Sequence, residues 1–189
     1  MALKTILASG SPRRSEILRK ARLDFEIRAA DVDESVIAGE TPAEYVLRLA
    51  RTKAQAIQCD EPALVIGADT TVVADDEILA KPEDAEDARR MLRLLSGHEH
   101  QVLTGVAVHH TGLNQTESDV ELTRVWFDEL TEDWISWYIA SGEPFDKAGA
   151  YAIQGLIAPF IDRIEGNYLN IVGLPAPLVR RLMRRFGEE

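Results

Sequence analysis

The stretch Ala8-Ser9-Gly10-Ser11-Pro12-Arg13-Arg14 sets a small, polar turn and two adjacent guanidiniums directly behind the apolar run that ends at Ala8. With Ser11 as N-cap and Pro12 at the first helical position, the next residues start a helix. The unpaired amides of its first turn, the positive end of its dipole and the side chains of Arg13 and Arg14 then converge on one place. A phosphate is what such a place suits, because it accepts charge-assisted hydrogen bonds from arginine and bare N–H groups from a helix start. The turn is neither a P-loop nor a dinucleotide fingerprint, since the Gly-x4-Gly-Lys and Gly-x-Gly-x-x-Gly spacings are both missing. On these residues alone a triphosphate cradle and an ordinary capped helix with two solvated arginines weigh about equally.

The second feature is Asp69, which follows the apolar run Leu64-Val65-Ile66 through Gly67-Ala68. The run reads as a buried strand with Asp69 at its end, the usual place for site residues in α/β proteins. A carboxylate there ligates Mg²⁺ or orients a water, whereas the plainer reading is a turn-forming aspartate. The need of a buried-end carboxylate for a partner tips the balance toward function. Asp31-Val32-Asp33-Glu34 adds carboxylates, with Glu34 able to complete a metal site, although most acidic clusters in so negative a chain are solvated. Lys53 and Lys81 are candidate phosphate contacts that would ordinarily be surface lysines. His98 and His100 have no evident third ligand and read as surface histidines. Arg180, Arg181, Arg184 and Arg185 alternate with Leu178, Leu182 and Phe186 as the wet face of an amphipathic helix.

The elements that must hold these groups alternate between strands and helices. Expected strands cover Thr5–Ala8, Phe25–Ala29, Ala63–Ile66 with a bend or second strand over Thr70–Ala74, Gln101–His109 and Glu117–Phe127, the last two as a hairpin around Gly112. Expected helices cover Ser11–Ala21, a segment opened by the capping box Thr41-Pro42-Ala43-Glu44, Pro82–Leu95, Thr131 to about Ser141, and Pro175–Phe186. This pattern is mixed α/β, in one domain of 189 residues whose 46% hydrophobic content fills one sizeable core. Formal net charge is −11, from 21 Lys plus Arg against 32 Asp plus Glu, which argues against general nucleic-acid or anionic-membrane binding. An anionic substrate must therefore meet a local basic site. The lone Cys59 excludes an internal disulfide and reads as packing, Asn114-Gln115-Thr116 reads as a polar turn, and the absence of a long apolar run points to a cytoplasmic protein.

Taken in order, the SPRR turn, Asp33-Glu34, Lys53, Gly67-Ala68-Asp69-Thr70, Lys81-Pro82, Ser96-Gly97 with His100, Glu143-Pro144, Lys147-Ala148-Gly149-Ala150-Tyr151, Gln154-Gly155 and Gly173-Leu174-Pro175 closely resemble the Maf family of nucleoside triphosphate pyrophosphatases. The resemblance spans nearly the whole chain. It implies a mixed, twisted sheet with flanking helices in the two-lobed inosine-triphosphate-pyrophosphatase-like fold, with a cleft between the lobes. The segment from Lys147 to Gly155 resembles the group acting on dTTP and UTP. By position, the resemblance implies Asp69 as catalytic proton acceptor close to a Mg²⁺ or Mn²⁺ ion, with Glu34 an acidic residue near that metal. Arg14, Lys53 and Lys81 match phosphate-binding residues, and Arg13, Thr70 and Gln154 match residues bearing on substrate choice, with Ser11 at the cradle's helix start. Thr71 and Ala176-Pro177 depart from the usual pattern at packing positions. Two rivals stand beside this expectation: a non-catalytic nucleotide or nucleic-acid binder acting in cell division, and a phosphatase removing only the γ-phosphate. Oligomeric state stays open, a homodimer being the assembly to test.

Overall fold

The computed structural model describes residues 3–188. Strands β1 (Lys4–Leu7), β2 (Glu26–Ile27), β3 (Ala63–Ala74), β4 (Glu77–Leu79), β5 (Glu99–His110), β6 (Gln115–Phe127) and β7 (Ile161–Glu165) alternate with helices α1 (Pro12–Lys20), α2 (Pro42–Gln55), α3 (Ala85–Leu95), α4 (Glu132–Ala140), α5 (Tyr168–Val172) and α6 (Ala176–Arg184). The fold is mixed α/β, with strand order β2-β1-β3-β5-β6-β7 and β4 pairing with β3. Two compact units share the chain, which passes from one to the other inside β3, β5 and β6 and again after α5.

The first unit comprises the chain up to Thr70, Thr104–Glu121 and the segment from Gly173 onward. Here β1 runs parallel to β2 and to β3, pairing Lys4–Leu7 with Ala63–Ile66. Strands of a parallel pair are covered on both faces, and the paired segments are accordingly apolar and buried at Ile6-Leu7 and Ala63–Ile66. Helix α2 starts at the expected capping box: the Thr41 hydroxyl accepts from the Glu44 amide at 3.3 Å and the Thr41 amide donates to the Glu44 carboxylate at 2.9 Å. Its alanines Ala50 and Ala54 pack into a small-residue cluster with Ile6, Ala8, Ala63, Val65 and Ala107, and Cys59 packs against that cluster. Two glycines let α2 lie this close. A Cβ on Gly67 would stand 2.1 Å from the Ala50 carbonyl oxygen, and one on Gly105 would stand 2.3 Å from that of Val46. The terminal helix α6 buries Leu178, Val179, Leu182 and Met183 and exposes its arginines, of which Arg181 and Arg185 pair with Asp119 and Glu117.

Asp69 does not end a strand. The apolar run continues as one strand through Thr70-Thr71-Val72-Val73, four β-branched residues, to Ala74. Gly67, which reads in sequence as a break, serves the close approach of α2 instead. The chain reverses only at Asp75 and Asp76, whose φ values of 48° and 63° form a left-handed turn leading into β4. The strand expected over Phe25–Ala29 is confined to Glu26–Ile27.

The second unit comprises Thr71–Leu103 and Leu122–Val172. Helix α3 begins at Ala85 and not at Pro82, because Asp84 is the residue whose side chain accepts the Asp87 amide, at 2.8 Å. Thr131 caps α4 in the same way. Short 3₁₀ turns at Glu143–Asp146, Ala148–Ala150 and Ala158–Phe160 lead to β7, which pairs antiparallel with β6. His98 is exposed as expected, but His100 is 1% exposed. On β5 the residues at 100, 102 and 104 share one inward face, so the imidazole lies edge-on to Phe127 and Tyr151 and its Nε2 bonds the Tyr151 hydroxyl at 2.8 Å. Among the described residues no helix is long and apolar enough to cross a membrane.

Candidate active site

The period-2 geometry of β3 puts Gly67 and Asp69 on the same face, the one α2 covers. Because Gly67 admits the α2 backbone, the helix brings Lys53 down onto the strand one step further along. Lys53 Nζ donates to Asp69 Oδ1 at 2.6 Å, and a second 2.6 Å ion pair joins it to Glu34 Oε1. Lys53 is 7% exposed and Asp69 8%, so the ammonium and carboxylate are desolvated together, while Glu34 reaches in from solvent. Glu34 belongs to the loop between β2 and α2, and α2 fastens that loop. The Tyr45 hydroxyl donates to the Glu34 carbonyl at 3.0 Å, and Arg48 donates to the Ser35 carbonyl and forms a two-pronged pair with Glu40. Burial, with the Asp69 and Glu34 carboxylates adding to it, pushes the Tyr45 phenol up to about 12, so it remains a donor.

The arginine turn meets the same strand from α1. Ser11 occupies the N-cap position with extended backbone, yet its hydroxyl caps no amide; its own N–H donates to Ser9 Oγ at 3.2 Å. No acidic side chain sits in the first turn of α1, so nothing there offsets the positive end of the dipole. Each guanidinium nitrogen of Arg14 donates a hydrogen bond. Nε donates to the Gly173 carbonyl at 2.9 Å, Nη1 to the Ala68 carbonyl at 2.8 Å and to Ser9 Oγ at 3.2 Å, and Nη2 to Thr70 Oγ1 at 3.2 Å. Thr70 Oγ1 also shares a 2.9 Å hydrogen bond with Thr104 Oγ1. Arg14 therefore grips the backbone on one side of Asp69 and the side chain on the other. Burial lowers its pKa from the ordinary value, and the field of Asp69 opposes that shift.

Seven of the nine residues singled out in the sequence fall in the first unit: Ser11, Arg13, Arg14, Glu34, Lys53, Asp69 and Thr70. Direct contacts join Glu34, Lys53 and Asp69 in one chain and Arg14 to Thr70. Two carboxylates turned on one ammonium form a place that demands positive charge, and their oxygens are the donors that Mg²⁺ and Mn²⁺ prefer. The pair thus fits a divalent metal. Among the described residues no three His, Cys, Asp or Glu side chains gather as a ligand set, so phosphate oxygens and water would complete the coordination.

Lys81 and Gln154 belong to the second unit, and both are exposed. Lys81 follows β4, and the preceding Ala80 carbonyl accepts the Gly149 amide at 3.1 Å. Gly149 has φ 67°, and a Cβ there would press on Val72 at 2.8 Å, which is why the Lys147-Ala148-Gly149 segment tolerates no side chain at this point. Gln154 stands in a turn closed by the Gly155 amide on the Ala152 carbonyl at 2.8 Å. Sequence reasoning assigns no role to Tyr45 and Arg48, which secure the Glu34 loop, and quotes Glu143, which secures the Gln154 turn, only as part of the family pattern. The i, i+3 spacing of Tyr45 and Arg48 behind a capping box is the only local signal for the first two.

The family described as Maf-like protein matches residues 4–186 of this chain. The dTTP/UTP pyrophosphatase of Koribacter versatilis is 52% identical over 188 residues, covering 99% of this chain and 96% of that protein. That of Vibrio cholerae serotype O1 is 50% identical over 185 residues, covering 97% and 98%. Among solved structures, the nucleoside-triphosphatase / dITP/XTP pyrophosphatase of Mycobacterium abscessus is similar with a TM-score of 0.43 and 13% identity, covering 66% of this chain and 74% of that one. With the family pattern matched from β1 to the end of α6 and about half of all positions shared with full-length relatives, the chain belongs to the Maf-like protein family.

Proposed function

We propose that this protein is a hydrolase that converts dTTP and UTP to the monophosphate and pyrophosphate, acting in the cytoplasm. The observation carrying the chemistry is the buried Lys53–Asp69 pair, 2.6 Å long, beside the Arg13-Arg14 helix start. The pyrimidine preference rests on the names of the full-length relatives and on the Lys147–Gly155 segment.

In this reading the triphosphate places its charge against the α1 N-terminus, Arg13 and Lys53, and the family resemblance alone adds Lys81 as a phosphate contact. A water attacks the α-phosphorus, its oxygen forms the new P–O bond, and the bond to the bridging oxygen of the β-phosphate breaks. Asp69 takes the proton that the water loses, and pyrophosphate leaves. Lys53 holds Asp69 Oδ1, which leaves the other carboxylate oxygen to meet the water. A Mg²⁺ or Mn²⁺ ion held by Asp69 and Glu34 would supply neutralising charge on the phosphate oxygens. Displacement at phosphorus depends on positioning and charge more than on covalent chemistry, which suits a site without an activated nucleophile. Gln154 presents both a donor and an acceptor, as the edge of uracil or thymine requires.

The test is product release from dTTP, UTP, CTP and GTP, with and without Mg²⁺, read separately for pyrophosphate and orthophosphate. Pyrophosphate from dTTP and UTP in preference to the others is expected. Orthophosphate alone would indicate removal of the γ-phosphate, and nucleotide binding without either product would indicate a regulator.

A further inference from the structure

The turn that carries Gln154 is held from outside by one carboxylate. Glu143 opens the first 3₁₀ turn after α4, and its Oε1 accepts the Tyr138 hydroxyl at 2.9 Å and the Leu156 amide at 3.0 Å. Oε2 lies 3.3 Å from the same amide. Gly155 sits directly against this carboxylate: a Cβ there would be 1.9 Å from Oε1 and 2.9 Å from Oε2. Tyr138 is 0% exposed on α4, and burial together with its bond to Glu143 raises its pKa, so it stays a fixed donor. The backbone of Glu143 is secured in turn, its carbonyl accepting Lys147 Nζ at 2.6 Å. Gln154, by contrast, is exposed.

We infer that Glu143 is a positioning residue for base selection: by gripping Gly155 and Leu156 it fixes where the Gln154 amide points. The inference rests on the reading of Gln154 as the residue that meets the pyrimidine. An anionic acceptor suits the task, since charge-assisted bonds to an amide and a phenol are shorter and stronger than neutral ones. Gly155 suits it too, because any side chain there would displace the carboxylate. Base discrimination depends on donors and acceptors held to within a fraction of an ångström, so slackening the turn costs selectivity before it costs bond cleavage.

The experiment compares the full-length protein with Glu143→Ala, Glu143→Gln and Gln154→Ala. Steady-state kinetics on dTTP and CTP are measured together with hydrogen exchange of the Leu156 amide. Glu143→Ala should speed Leu156 exchange and narrow the dTTP-over-CTP ratio in kcat/KM by roughly tenfold, chiefly through KM for dTTP. Glu143→Gln keeps an acceptor oxygen and should recover most of both. If Gln154→Ala narrows the ratio while Glu143→Ala leaves it at the wild-type value, the inference is overturned. If Gln154→Ala itself leaves the ratio unchanged, the Gln154 reading fails, and faster Leu156 exchange in Glu143→Ala would still show the tether. Should Glu143→Ala not fold, Glu143→Asp, whose shorter side chain withdraws the carboxylate from Leu156, decides by the same two readings.

Discussion

Lys53 Nζ lies 2.6 Å from Asp69 Oδ1 with both side chains nearly buried, and the same ammonium pairs with Glu34 Oε1 at 2.6 Å. The pair is the meeting point of α2 and β3, and it exists because Gly67 admits the helix two residues upstream. Removing either partner therefore affects the chemistry and the fold differently.

Asp69→Asn keeps an oxygen for Lys53 to donate to and should bind dTTP with near-normal affinity in calorimetry. It loses the proton acceptor, so turnover should fall by roughly 10²–10⁴-fold. Pyrophosphate release at near-wild-type rate in this variant would remove Asp69 from the proposed role. Lys53→Met instead leaves Asp69 buried without its cation, and should cost about 3 kcal/mol in urea denaturation.

Arg14→Lys should be destabilising although charge is conserved. The guanidinium reaches the Gly173 and Ala68 carbonyls, Ser9 Oγ and Thr70 Oγ1 at once, and an ammonium cannot span that fan of acceptors. Buried acceptors left bare cost about 1–3 kcal/mol, so a midpoint shift of that size is expected in chemical denaturation. A variant as stable as wild type would show that the clamp contributes nothing to the fold.

Gly67→Ala tests the approach of α2. The added methyl would meet the Ala50 carbonyl oxygen at 2.1 Å and the Ala54 amide nitrogen at 2.7 Å, both backbone atoms that cannot rotate away. The helix must lift, at a cost of about 3 kcal/mol. Lifting also withdraws Lys53 from Asp69, so turnover should fall in whatever fraction remains folded. Circular dichroism during thermal unfolding, paired with the pyrophosphate assay, reads both effects.

His100 makes stability fall on mild acidification. Burial holds the imidazole down to about 3, well below its ordinary value, so between that value and about 6.5 the unfolded chain binds a proton that the folded one does not. This contribution is fully present above about pH 6.5 and is lost as pH falls toward 3, at a limiting slope of about 1.4 kcal/mol per pH unit. His109 is shifted in the same direction by burial and adds to the trend. Urea unfolding at pH 7, 6 and 5 should show a shallower decline in His100→Gln, which lacks the ionisable ring but can still bond Tyr151. Parallel declines in the two proteins would contradict the assignment to His100.

The starts of α2 and α4, the hairpin and the amphipathic end of the chain were legible locally, whereas the start of α3 was not. Thr41-Pro42-Ala43-Glu44, Thr131 and the Leu178, Leu182 spacing each satisfy a rule that involves only neighbours along the chain, and the structure follows them. Asp69 was found by sequence but misplaced, because a glycine within an apolar run reads as a break unless one knows that a helix backbone lies 2.1 Å from where its Cβ would be. His100 was misread for a similar reason: a polar side chain on a strand takes its burial from what packs on that face, here Phe127 and Tyr151. Sequence by itself determined which residues carry charge and hydrogen-bonding capacity, and that helices and strands alternate to hold them. Only the tertiary structure decided that Lys53 neutralises Asp69 and Glu34 together, that Arg14 spends its donors on Gly173, Ala68, Ser9 and Thr70, and that Glu143 grips the turn beside Gln154. Each of these pairings is made by residues distant along the chain or on separate elements, and the electrostatics of a carboxylate depend on which cation the folding of the backbone brings within hydrogen-bonding distance.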